Sequence, residues 1–423
     1  MKKFNKSLMA GLVAAGMVAS FGANATNGYF AHGVGMKAKG MAGAGIAYGQ
    51  DALAAGTNPA NSVLVGGRID FGVDLFKPVR TTSITGFSGA YSSYNGSYSP
   101  NKDDMFLIPE FGYNSMIDNV SSWGVSVFGN GGMNTSYKKP IAWFGSTNAG
   151  VNLEQLYIAP NYSRKLNDKN AIGVAVNLIY QKFKATGLQN FNDNAHTSHV
   201  GSVSDNGDDT STGYSLRLGW TGTINDMVTV GLTYQSKADM KAFDKYKGLF
   251  AENGKFDIPS TYGVGIAVKA SPRMNVALDI TKINYSEVKS ISNPNPGTNL
   301  LGTAGGSGFG WQDMTVYKLG FDYQYSDSLV LRAGWNHGDQ PIPANQTLFN
   351  LLAPGVVEDH LTLGATWTLA NKAELTVAYM HAFEKTVNGS QSIRDNSGNV
   401  ISGAEANLKM SQDSLGVAYG WKF

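Results

Sequence analysis

Six histidines, His32, His196, His199, His337, His360 and His381, are the first candidates for chemistry in this chain. His196 and His199 stand close enough in sequence to share a metal ion. They sit in a stretch of Asn, Asp and Ser that supplies no further ligand and no group to orient the rings. An exposed loop pair is therefore expected there. A hydrolase needs a nucleophile beside a base, and the scattered histidines offer no such pair. Asp103-Asp104 and Asp208-Asp209 read as loop charges. The absence of Cys excludes a disulfide scaffold, a zinc–thiolate site and a thiol nucleophile. Gly33-Val34-Gly35 and Gly40-x-x-Gly43-x-Gly45 look like a dinucleotide loop, but no strand precedes them. No catalytic residue, metal or cofactor is expected, and the chain is not read as an enzyme.

One stretch has the chemistry to hold an amphiphile. Residues 237–250 carry Lys237, Lys241, Lys245 and Lys247 among apolar side chains. Met240, Phe243 and Tyr246, with Lys247, recur at helical spacing, and Phe250 follows. An apolar strip edged by lysine suits a carboxylate with a greasy tail. A solvated face, or lysines set against lipid phosphates, is the competing reading.

These residues need elements to position them. Residues 1–25 read as a signal peptide, with basic Lys2, Lys3 and Lys6, an apolar run from Leu8 to Phe21, and a small-x-small site at Ala23-Asn24-Ala25. No later run reaches the ~18 apolar residues of a membrane-spanning helix. A net charge of +2 gives nucleic acid nothing to bind. Residues 26–67 are rich in Gly and Ala and nearly free of strand formers. They are expected to form a plug, with a helix around Gln50–Ala55 ended by Pro59.

From Arg68 onward, apolar residues alternate with polar ones in fourteen runs. Tyr214-Leu216-Leu218-Trp220 and Tyr317-Leu319-Phe321-Tyr323-Tyr325 are two of them. Short turns alternate with long polar loops, and aromatics such as Tyr180, Trp335, Trp367 and Trp421 cap the runs, as in a membrane barrel. Lipid offers no hydrogen-bond partner, so such a sheet must close on itself. The expected fold is all-β: a fourteen-stranded antiparallel transmembrane β-barrel over residues 68–423, with a hatch of residues 26–67 in its lumen. Arg217, Asp279, Lys318, Asp322, Arg332 and Glu374 fall on the inward face and are expected to pair as an ionic ladder that stiffens the wall, with direct ligand contact as the alternative.

Two segments also resemble a known family. The first is NGYFAHGVGMKAKGMAGAGIAYGQDALAAGTNPA, at the start of the expected mature chain. The second is Trp311-x-Asp313-Met314-x-x-Tyr317-Lys318-Leu319-Gly320, continuing through Leu331-Arg332-Ala333-Gly334-Trp335 to Pro341-Ile342-Pro343. Both resemble the FadL/TodX family of outer-membrane transporters for long-chain fatty acids and aromatic hydrocarbons. The resemblance implies a Gram-negative outer membrane, a lumen pocket, and passive sideways release where the third strand kinks. It also implies capture of a hydrophobic ligand by the loops after the third and seventh strands, here Trp143 and Phe144, with Ile141, facing Met240, Lys241, Phe243, Tyr246, Lys247 and Phe250.

Gly129-Asn130-Gly131-Gly132 is the matching kink candidate, since clustered Gly in a strand marks a bulge; the start of a loop is the alternative. Asn58-Pro59-Ala60 matches the hatch motif and is the candidate gate, with an ordinary Asn-Pro turn as the plainer reading. Expected partners are the hydrophobic ligand, lipopolysaccharide, and the barrel-assembly machinery through the aromatic C-terminus at Phe423, for a monomeric protein. Long-chain fatty acids are the expected cargo. Monoaromatic hydrocarbons such as toluene are the alternative, with a general porin, an adhesin or an outer-membrane hydrolase behind them.

Overall fold

The computed structural model describes residues 26–395 and 398–423, so the expected signal peptide lies outside the described residues. Fourteen long strands form the wall: β1 (Arg68–Thr85), β2 (Phe106–Met116), β3 (Ser121–Ser136), β4 (Gly150–Asn167), β5 (Asn170–Thr186), β6 (Asp209–Asn225), β7 (Val228–Gln235), β8 (Thr261–Ser271), β9 (Met274–Ile283), β10 (Met314–Ser326), β11 (Leu329–Gly338), β12 (Asp359–Thr368), β13 (Glu374–Val387) and β14 (Glu405–Lys422). Each pairs antiparallel with its sequence neighbours. β14 returns to β1 in unbroken register from Arg68↔Lys422 to Thr85↔Glu405, so the sheet closes. Two short strands, Gly96–Tyr98 and Asp239–Met240, lie off this circuit and pair with β1 and β6.

The alternation has a simple cause. Along β5, Ile172, Val174, Val176, Leu178 and Tyr180 are exposed on the outer face, while Ala175, Asn177, Ile179 and Gln181 are buried on the inner one. Large apolar side chains facing outward are what a lipid solvent selects. Trp220, Tyr325, Trp367 and Trp421 stand near the short-turn end. Tyr180, Tyr234 and Trp335 stand toward the long loops, so aromatic rings mark both edges of the apolar band.

Residues 26–67 lie inside this wall and are almost wholly buried. They form two one-turn helices, α1 (Met36–Lys39) and α2 (Ser62–Val65), and two 3₁₀ turns at Ala54–Gly56 and Pro59–Asn61. The helix expected around Gln50–Ala55 is not there. Asp51 Oδ1 accepts from the Leu53 N–H at 3.0 Å, a local side-chain bond that competes with helical pairing. Pro59 starts a turn instead of ending a helix, and Asn58 is its N-cap.

The inward charges also behave differently from the expected ladder, since their main partners are in the plug. Asp279 Oδ2 accepts from the N–H groups of Gly45 and Ile46 at 2.7 and 2.9 Å. Tyr48 Oη donates to Asp322 at 2.6 Å, and Arg332 Nε donates to Gln50 Oε1 at 3.0 Å. Lys318 Nζ donates to the His32 carbonyl at 2.9 Å. Glu374 accepts from plug residue Lys37 at 2.6 Å and from Arg68 at 2.8 Å. A short Gly-rich segment has little apolar surface of its own, so ionic and hydrogen bonds from the wall hold it in place.

Candidate functional site

The site begins at β3. Its pairing with β2 runs from Met116↔Ser122 to Phe111↔Val127 and goes no further. β2 continues alone on β1 to Phe106↔Phe76, and β3 continues on β4 to Ser136↔Gly150. The two strands therefore part above Val127. The register of β3 on β4 shifts between Gly129 and Gly131, which makes Asn130 the extra residue of a bulge. The Gly129–Gly132 cluster is thus the bulge itself and not the start of a loop.

The plug lines the inner side of this split. Phe30 forms an antiparallel bridge to Gly131. Ala31 donates its N–H to the Asn130 carbonyl at 2.8 Å, and Gly132 donates to the Tyr29 carbonyl at 2.9 Å. A Cβ on Gly131 would stand 1.9 Å from the Tyr29 oxygen, so this contact requires glycine.

Asn58-Pro59-Ala60 packs on the neighbouring wall, against β4 to β6. Asn58 Oδ1 accepts from the Ala60 N–H at 3.0 Å as a cap. Asn58 Nδ2 lies 2.7 Å from the Ile46 carbonyl, 3.1 Å from the Trp220 carbonyl and 3.1 Å from Thr221 Oγ1. One amide so joins two parts of the plug to the wall. Gly219 leaves the room, since a Cβ there would come within 1.8 Å of Asn58 Oδ1.

A cavity of about 90 Å³ lies between plug and wall. Phe30, Ala31, Asn130, Arg217, Thr233 and Lys318 are among its lining residues, so it reaches from the bulge to β6 and β10. Arg217 is buried and donates to the Thr57 carbonyl at 3.1 Å and to Gln235 Oε1. Among the described residues no carboxylate pairs with it, and its Nε has no acceptor. Gln235 also accepts from Asn177 Nδ2 at 3.1 Å. The chamber can therefore offer a buried cation to a ligand's anionic end.

The capture residues are distributed differently from the sequence expectation. Met240 pairs with Gly213 in a strand, and only Asp244–Tyr246 forms a 3₁₀ turn, so no helix carries the strip. Phe243, Tyr246 and Phe250 are buried around Phe183, with ring centroids 5.6, 4.8 and 4.6 Å from it. Lys241 and Lys247 are exposed and do not line the cavities described here. The apolar members of the strip seal the outer end of the barrel and leave the lysines behind.

Phe144 and Phe250 do share a cavity. With Phe183, Phe191, Phe309 and Phe349 they line an apolar cavity of about 30 Å³ under the outer loops. Trp143 lines a wider groove of about 600 Å³ above it, shared with Phe191, Phe349, His196 and Arg394. His196 pairs with Asp193 at 2.8 Å, and among the described residues no group of side chains is arranged for a metal ion.

Aromatic rings connect these cavities to the bulge. Tyr94 and Trp143 are 5.6 Å apart, Phe191 and Phe349 5.4 Å, Phe250 and Phe256 4.8 Å, Phe256 and Tyr29 6.1 Å, and Tyr29 and Phe30 5.1 Å. Sequence reasoning passed over Tyr29 and Phe30. Their signal was visible: two adjacent large rings at the start of a segment made mostly of Gly and Ala.

The plug also holds a charge cluster near β1 and β2. Lys39 Nζ lies 3.0 Å from Asp74 and 3.4 Å from Glu110. Glu110 is the first β2 residue past the last pair with β3, so this triad stands at the foot of the split. Burial pushes the Asp51 carboxyl up to about 7. The neighbouring Asp70 carboxylate adds to the rise, and Arg68 and Lys37 oppose it.

A family profile described as outer membrane protein transport protein (OMPP1/FadL/TodX) matches residues 17–423. The chain belongs to the FadL/TodX family. Its fold is similar to that of the Pseudomonas putida toluene transporter TodX, at 18% identity and a TM-score of 0.67, over 93% of this chain and 99% of that one. A Pseudomonas aeruginosa FadL homologue matches at 16% identity and a TM-score of 0.70, over 94% of this chain and all of that one (100%). The Ralstonia pickettii toluene transporter TbuX matches at 18% identity and 0.63, over 93% and 99%. No curated relative matches the sequence. Family and closed barrel together place the chain in the Gram-negative outer membrane, as a transporter of hydrophobic compounds.

Proposed function

We propose that this family member takes up long-chain fatty acids by passive diffusion. The acid enters the aromatic groove around Trp143, passes the Phe183 cavity, and sets its carboxylate at Arg217. It leaves sideways where β2 and β3 part, beside Gly129–Gly132. The observation that carries the fatty-acid reading is Arg217, a buried guanidinium with no carboxylate partner among the described residues, lining the cavity that reaches the bulge. A pure hydrocarbon has no use for a buried cation, whereas a carboxylate satisfies it. The plug keeps the barrel from leaking, and the enclosed route keeps the acyl chain out of water, where each exposed CH₂ costs ~0.8 kcal/mol.

The test is uptake into liposomes carrying the full chain. Arg217→Met should lower fatty-acid uptake at least tenfold and leave toluene uptake unchanged. Equal effects on the two compounds would contradict the acid reading.

Monoaromatic hydrocarbons are the second reading. The small cavity favours it, because six phenylalanines line it and no charged residue does.

A further inference from the structure

Between the aromatic cavity and the Arg217 chamber the lumen wall carries a polar step. Gln155 on β4 stands directly opposite Gln181 on β5. Both are buried, and the Tyr29 phenol faces Gln155 from the plug. Gln155 Oε1 accepts from Asn130 Nδ2 at 3.1 Å, but Gln155 Nε2 has no partner. The Tyr29 phenol stands against Gln155 without a hydrogen bond of ordinary length, and neither Oε1 nor Nε2 of Gln181 makes one. Phe183 and Leu153, two residues farther out on the same strands, are apolar and buried.

Unpaired buried amides weaken a fold, and an apolar side chain of similar shape would fill the same space. Elsewhere in the lumen, polar side chains of the wall hold the plug, as Thr221, Asp279 and Glu374 illustrate. Gln181 holds nothing. Gln181 also stands well away from Arg217 along the wall. Arg217 faces Ala175 in register, and Gln181 lies six residues farther along β5, which is about 20 Å of strand.

We infer that Gln155, Gln181 and Tyr29 form a second polar station, which takes an uncharged oxygen function carried on the apolar chain of the ligand. The inference rests on the acid reading, because the carboxylate is placed at Arg217 and the tail runs outward past Gln181 toward Phe183. A hydroxyl donates to Gln181 Oε1 and accepts from Gln155 Nε2. A carbonyl accepts from either amide nitrogen. The substrate class is then an oxygen-substituted long-chain acid, with its second function far from the carboxylate.

The experiment titrates the purified full chain with stearic acid and with 12-hydroxystearic acid. The wild type should prefer the hydroxy acid, and Gln181→Met should cut that preference at least fivefold while leaving stearic acid affinity unchanged. Gln181→Asn, which keeps an amide but shortens it, is the second variant should the first fail to fold, and it should also reduce the preference. Equal affinities in the wild type, or a preference that survives both variants, would overturn the inference alone. A station occupied only by water would show as a higher melting temperature of Gln181→Met with no change in ligand preference, and would also overturn it. Binding of neither acid to the wild type would overturn the acid reading together with the inference.

Discussion

Phe30 of the plug pairs in antiparallel fashion with Gly131, the residue that follows the extra one in the β3 bulge. The plug is thus bonded to the strand that has parted from its neighbour. A side chain at position 131 would collide with the Tyr29 carbonyl. Gly131→Val should keep a folded barrel but detach residues 29–31, and fatty-acid uptake should fall at least tenfold. Uptake at the wild-type rate by a heat-modifiable, folded Gly131→Val barrel would show that this contact does not matter.

Asn58 anchors a second part of the plug, to Trp220 and Thr221 of β6. Asn58→Ala removes a cap worth about 1 kcal/mol. It also strips a donor from the buried neighbourhood of Thr221 and the Trp220 carbonyl, for about 1–3 kcal/mol more. The barrel wall keeps its own ladder, so the loss should appear as leakage. Single-channel recording should show frequent ion conductance in Asn58→Ala and little in the wild type.

Lys39 is the only cation salt-bridged to Asp74 or Glu110 among the described residues. Lys39→Met leaves two buried carboxylates unpaired, a change of about 3–5 kcal/mol. Limited proteolysis should then cut within residues 26–67, where the wild type resists. Adding Asp74→Asn and Glu110→Gln to Lys39→Met should restore resistance.

Asp51 makes plug docking depend on pH. Its carboxyl is raised in the docked plug, chiefly by burial and then by Asp70, so the docked form binds the proton more tightly than the free form does. Docking therefore strengthens as pH falls from about 7 toward the ordinary carboxylate range near 4, and is weakest above 7. Leak conductance should rise between pH 5 and 8. Asp51→Asn should flatten that rise.

The wall was legible because lipid and lumen impose opposite demands on alternate residues. Ile172, Val174 and Val176 announce β5 without any knowledge of its neighbours. The Gly129–Gly132 cluster was legible for the same local reason, since glycine in a strand needs a cause. The partners of the plug were not legible. Asp279 and Glu374 could be placed on the inner face, but nothing local shows that Gly45 or Lys37 waits opposite. The outer loops misled for a physical reason as well. Met240, Phe243 and Tyr246 have helical spacing, yet a strand bond to Gly213 and the pull of Phe183 decide their fold. Gln181 carried no signal at all, because a polar inward residue looks the same whether or not it finds a partner.

The chain has no Cys, so a single engineered disulfide can test sideways release without background. A Cβ at Gly129 would stand 3.1 Å from Ile108 Cγ2, across the split between β2 and β3. Ile108→Cys with Gly129→Cys places a reducible bond over the opening. Oxidised protein in liposomes should take up fatty acid at less than a tenth of the reduced rate, with full recovery on reduction. Undiminished uptake by the oxidised, fully cross-linked protein would contradict release between β2 and β3.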